Sequence, residues 1–88
     1  LAYPKADKHM EPFHVQFEVK NKEDLVSLTH KGEEFLYVLE GQLEFTYEGE
    51  TISLDPGDSL YFDSSAPHAF RAVGKKNALA IDVIYASE

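Results

Sequence analysis

Two histidines and one glutamate carry the most chemical information in this chain. His30 and Glu34 stand four residues apart, ahead of a glycine at position 41, and His68 follows much later beside Ala66-Pro67. Imidazole nitrogens and a carboxylate are donors that first-row transition metals accept, and without a metal the same groups hydrogen-bond a small polar ligand. On an extended chain, Leu28, His30 and Glu34 share one face by the two-residue period of a strand, with Lys31-Gly32 as the one place where that count is interrupted. His68 has to come from a different strand, and Phe70 shares its parity. The other histidines are bland: His9 sits in no motif, and His14 alternates onto a polar face and is expected in solvent. Glu33 and Glu34 are neighbours that point to opposite faces, so they cannot act as a paired acid and base on one substrate. Glu44, Glu48 and Glu50 flank a hairpin and read as solubilising charge.

The elements that must position these groups are strands. Phe13, Val15, Phe17 and Val19 alternate with His14, Gln16, Glu18 and Lys20, the pattern of a half-buried strand. Asn21 to Asp24 reads as a charged loop and Leu25 to Thr29 as a short strand. Glu34 to Leu39 is almost wholly apolar, which predicts a strand buried on both faces. Glycines recur at 41, 49 and 57, with the strand-like runs 43–47 and 51–54 between them. Further strands are expected over Ser59–Phe62, Ala69–Val73 and Leu79–Tyr85, with turns at Tyr47-Glu48-Gly49-Glu50, at Asp55-Pro56-Gly57-Asp58 and at Gly74 to Asn77. No segment has a helical period. About eight short strands punctuated by glycine turns predict an all-β jelly roll of two antiparallel sheets. Residues 1–12 read as a lead-in or linker and residues 13–88 as a single domain.

Composition narrows the class of function. A chain of 88 residues allows one domain, and a domain so small often shares its stability with a second copy. With no cysteine there is neither a disulfide framework nor a thiolate metal site, and no apolar run reaches the ~20 residues of a membrane helix. These features predict a cytoplasmic protein without membrane contact. The net charge is −8, and the stretch from Gly32 to Phe70 holds nine acidic residues and no Lys or Arg. Such a surface repels phosphate, so direct contact with nucleic acid is not expected of this domain. Phe35, Tyr37 and Leu39 form an apolar strip opposite in parity to Glu34, and predict a homodimer contact. The chain opens at Leu1 with no initiator methionine, which points to a piece of a longer polypeptide.

The order His30-Lys31-Gly32-Glu33-Glu34, Tyr37-Val38-Leu39-Glu40-Gly41, Pro56-Gly57-Asp58 and Ala66-Pro67-His68 resembles the two motifs of the cupins, small β-barrels that hold a metal or a small ligand. The first cupin motif runs His-x-His-x3-Glu-x6-Gly; His30, Glu34 and Gly41 fit it, while Leu28 stands where the first His would be. The resemblance implies a cupin double-stranded β-helix in which His30, Glu34 and His68 converge. Two imidazoles and one carboxylate would then make a facial triad with open positions. With the fourth ligand replaced by Leu28, the expectation is a weakly bound divalent transition metal at most. The pocket is expected to be lined by Leu28, His30, Glu34, His68 and Phe70. Met10-Glu11-Pro12-Phe13, Gly32 to Gly41 and Gly57 to His68 further resemble the carboxy-terminal sensor domain of bacterial helix-turn-helix regulators. That likeness implies a module that binds a small-molecule effector, without catalysis, while another domain contacts DNA. A metal-dependent enzyme of dioxygenase or isomerase type, or a cupin module fused to a metabolic enzyme, are the alternatives.

Overall fold

The computed structural model describes residues 10–21 and 27–85. His9, most of the expected loop Asn21–Asp24 and the first residues of the expected strand Leu25–Thr29 lie outside them. Seven strands follow one another: β1 (Met10–Phe17), β2 (Glu33–Glu40), β3 (Gln42–Tyr47), β4 (Glu50–Leu54), β5 (Ser59–Asp63), β6 (His68–Val73) and β7 (Ala78–Tyr85). There is no helix among the described residues. The strands form two antiparallel sheets, in the orders β1-β7-β2-β5 and β4-β3-β6.

The two-residue period decides which side chains meet between the sheets. Leu36 and Val38 of β2, Leu43 and Phe45 of β3, Leu54 of β4, Phe62 of β5, Ala72 of β6 and Ala78 and Ala80 of β7 form the buried core. Phe45 is its centre, with ring centroids 4.7 Å from both Phe62 and Phe70. Burial of each such ring contributes roughly 1.5–3 kcal/mol.

Tight turns fix the registers. Tyr47 pairs with Glu50 across a two-residue turn in which Glu48 (φ 49°) and Gly49 (φ 83°) are both left-handed, the geometry that matches the twist of a hairpin. Gly41 alone links β2 to β3, at φ 78°. A Cβ there would stand 2.8 Å from both Ala78 Cα and Asn77 O, so only glycine fits without a shift of backbone.

Three expectations need correction. β2 is not buried on both faces: its pattern alternates, leaving Phe35, Tyr37 and Leu39 38%, 39% and 37% exposed on the outer face of the sheet. The strand expected over Phe13–Val19 pairs from Met10 to Phe17 and then changes partner. Val19 makes a parallel bridge to Ala72 of the other sheet, and Arg71 fastens the crossing by donating from Nη1 to Lys20 O at 2.8 Å. Alternation in the sequence continues through this corner, and alternation says nothing about the partner. Finally, the described part of Leu25–Thr29 makes one bridge, Leu28 against His68, so the described strands number seven rather than about eight.

Candidate metal and ligand site

Three backbone devices bring the site together. Leu28 and His68 exchange two hydrogen bonds, Leu28 N to His68 O at 2.8 Å and His68 N to Leu28 O at 3.1 Å. The next turn of chain is held against the end of β5, with His30 N donating to Ser64 O and Ser64 N to Gly32 O, both at 2.9 Å. Glu34 then enters β2 on its inward face, opposite Phe62 of β5 and Ile84 of β7. The bend at Lys31-Gly32 does not spoil the parity: Leu28, His30 and Glu34 all face one cavity.

That cavity has a volume of about 480 Å³ and is lined by Phe17, Lys20, Leu28, His30, Glu34, His68, Ala69, Phe70, Asp82 and Ile84. All five residues expected from the sequence therefore line it. Leu28 is 60% exposed and sits at its rim rather than deep in its wall. Phe70 packs on Phe45 and Phe17 and forms part of the apolar side. His14 is exposed, as its parity predicts.

Donor atoms of His30, Glu34 and His68 lie within 4.8 Å of one another. Glu34 Oε1 is 3.3 Å from His30 Nε2 and 3.7 Å from His68 Nε2, and the two imidazoles meet edge to face with centroids 5.3 Å apart. His68 Nδ1 lies 2.9 Å from Ala66 O, and because a carbonyl only accepts, Nδ1 carries the proton. In the neutral form of the ring this contact leaves the lone pair on Nε2, the tautomer a metal ligand needs, set by a backbone carbonyl behind the ring. Glu34 and His68 are buried, while His30 is partly open to the cavity mouth. The donor set, its spacing and this tautomer fit a divalent transition metal with open positions toward the apolar wall.

One buried acid that lines the cavity escaped the sequence reading. Asp82, on β7, is buried beside Glu34; the Asp82 carboxyl and the Ser64 hydroxyl both stand close enough to Glu34 to interact with it, but among the described residues neither Asp82 Oδ1 nor Ser64 Oγ makes a hydrogen bond of good geometry. Burial, and then the Glu34 carboxyl, push Asp82 up to about 8. Burial also raises Glu34, against the opposing pull of the Asp82 and Ser64 side chains. Two buried carboxyls this close cannot both ionise cheaply without a cation between them. The signal in the sequence was a lone acid at inward parity in the apolar run Ala78-Leu79-Ala80-Ile81-Asp82-Val83-Ile84.

The family model for the cupin domain matches residues 13–84. The chain belongs to the cupin family. Among curated proteins, this cupin is 35% identical over 54 residues to an uncharacterized HTH-type transcriptional regulator, YobQ, of Bacillus subtilis (strain 168), a match covering 61% of this chain and 22% of that protein. It is 44% identical over 46 residues to polyketide synthase CurC of Streptomyces cyaneus, covering 52% of this chain and 30% of that one. Among solved structures, iron(II) HppE in complex with substrate superposes with a TM-score of 0.80 at 31% identity, over 88% of this cupin and 46% of that chain. Hydroxypropylphosphonic acid epoxidase from S. wedmorenis does so with a TM-score of 0.80 at 30% identity, over 88% and 44%. The cupin thus spans less than a third of these curated relatives and less than half of these solved chains.

Proposed function

We propose that this cupin domain binds a small-molecule effector at a divalent transition metal held by His30, Glu34 and His68, and serves as the sensing part of a larger transcription regulator. The observation that carries this reading is the cavity itself, in which three metal-type donors are interleaved with the apolar side chains of Phe17, Phe70 and Ile84. A metal bound there supplies a Lewis-acidic anchor for an oxygen or nitrogen of the effector. The rest is done by the chain. The apolar wall takes the body of the ligand, and His68, locked by Ala66 O, keeps its donor aimed into the pocket. Three protein ligands with Leu28 at the fourth position give weak, exchangeable binding. Similarity to an HTH-type regulator, and an acidic stretch unsuited to DNA, support a division of labour in which another domain reads the operator.

Effector control requires that the ligand prefer one arrangement of the regulator, typically by 1–3 kcal/mol. Phe35, Tyr37 and Leu39, with Tyr61 67% exposed beside them, offer an apolar sheet face on which two copies would meet. The test is operator binding by the full-length protein, with and without divalent metal. His30→Ala and His68→Ala should leave the circular dichroism spectrum unchanged and weaken the response. A double variant that regulates and responds like wild type would refute the sensor assignment. Likeness to an iron(II) protein favours a second reading, a metal-dependent enzyme. In that case the isolated domain should bind iron(II) stoichiometrically and turn over a substrate.

A further inference from the structure

The cupin motif accounts for His30, Glu34 and His68, but it leaves Asp82 unexplained. Asp82 belongs to β7, whose Ile84 pairs with Glu34 and whose Asp82 pairs with Leu36, so its carboxyl is the diagonal neighbour of Glu34 on the inward face. It is 7% exposed, lines the cavity, interacts with Glu34, and has in Oδ1 an oxygen that makes no hydrogen bond of good geometry among the described residues. It also stands outside the set of donors gathered within 4.8 Å. A buried acceptor is normally satisfied by protein or by an ordered group. An acceptor that lines the same cavity as the triad and neighbours Glu34 is placed for a donor bound within that triad.

We propose that Asp82 is an outer-sphere positioning residue of the cation site, accepting a hydrogen bond from a water or ligand hydroxyl bound to the cation held by His30, Glu34 and His68. The inference rests on the cation reading above, but it can fail separately. In this arrangement Leu28 removes an inner ligand at the rim, while the buried Asp82 supplies a hold on the bound water or ligand. Groups of this kind, once removed, typically cost about 10–100-fold in metal affinity.

The experiment is calorimetric titration of the metal-free domain with Co2+, together with the visible spectrum of the bound cobalt. Two variants are compared, Asp82→Asn and Asp82→Leu, the second keeping a core-compatible volume if an alanine would not fold. Asp82→Leu should weaken Co2+ binding about 10–100-fold with the cobalt bands unmoved, because the inner ligands are untouched. Asp82→Asn, which keeps a neutral acceptor of the same shape, should lose less. Equal affinity in wild type and Asp82→Leu would overturn the proposal, as would a change of cobalt bands, which would make Asp82 an inner ligand. Equal affinity in wild type and Asp82→Asn, with loss in Asp82→Leu, supports the hydrogen bond over any role for charge. Absence of Co2+ binding to wild type would overturn the cation reading and this inference with it.

Discussion

Replacing Asp82 with asparagine should make the metal-free protein more stable at alkaline pH, although the same change weakens the site. Asp82 has an ordinary value of 3.8, and burial beside Glu34 raises it to about 8 in the folded protein. A carboxyl whose folded value lies above its unfolded value keeps its proton in the native state after the unfolded chain has lost it. Stability therefore falls as pH rises from about 4 to about 8, and the full cost is present above that. At ~1.4 kcal/mol per pKa unit, a rise of roughly four units sets an upper limit on the order of 5 kcal/mol. Glu34 shares the same proton equilibrium, so a gain of about 2–4 kcal/mol at pH 9 is the reasonable expectation, with little difference from wild type at pH 4. Against a total of about 4–13 kcal/mol for a domain of this size, that gain is large. Urea denaturation in the presence of a chelator, at intervals from pH 4 to pH 9, measures it directly. A gap between wild type and Asp82→Asn that stays constant across this range would refute the reasoning. Divalent metal added at pH 8 should return much of the lost stability to wild type, because ligand bound by the native state stabilises it by mass action.

Further outcomes follow from the packing and the rim of the cavity. Gly41→Ala should destabilise the domain by about 2–5 kcal/mol, from a left-handed alanine and a forced contact with Ala78 and Asn77. Gly49→Ala has the same handedness but nothing within 4 Å, and should lose only about 1–2 kcal/mol in the same denaturation assay. Light scattering at micromolar concentration should give a mass about twice the 9.9 kDa of one chain, and Tyr37→Glu on the outer face of β2 should return it to the monomer value. Leu28→His, opposite His68 across a directly hydrogen-bonded pair, should tighten Co2+ binding roughly tenfold, about 1.4 kcal/mol, in a calorimetric titration.

The parts of this fold that the sequence reveals are those governed by local period and local turn chemistry. Alternation in Leu43-Glu44-Phe45-Thr46-Tyr47 and the Glu48-Gly49 turn specify a hairpin by themselves, and the observed pairing of Tyr47 with Glu50 follows. The cavity lining was legible for a related reason: Leu28, His30 and Glu34 share parity, and so do His68 and Phe70. What stayed hidden depends on partners far away in the chain. Val19 keeps the alternation of β1 yet pairs with Ala72 of the other sheet, because Arg71, Lys20 and the core beneath decide where the chain crosses. Parity separates Phe35, Tyr37 and Leu39 from Leu36 and Val38, but only the packing of β2 between the sheets decides that the second set is buried and the first half-exposed.

Asp82 shows why the site was read incompletely. Its parity in β7 was visible, but its meaning comes from a register: Ile84, not Asp82, lies opposite Glu34, and this one offset brings the second carboxyl diagonally beneath the first. A core designed for stability alone would place another alanine or valine there, as at Ala78 and Ala80. The protein instead keeps a buried acid, with an Oδ1 that makes no hydrogen bond among the described residues, beside another buried acid, a combination in which burial opposes ionisation and which a bound cation would relieve. A residue that destabilises the empty fold and suits the occupied one is the pattern of a functional position. In this domain it points to the same cavity that Leu28, at the rim, leaves short of one ligand.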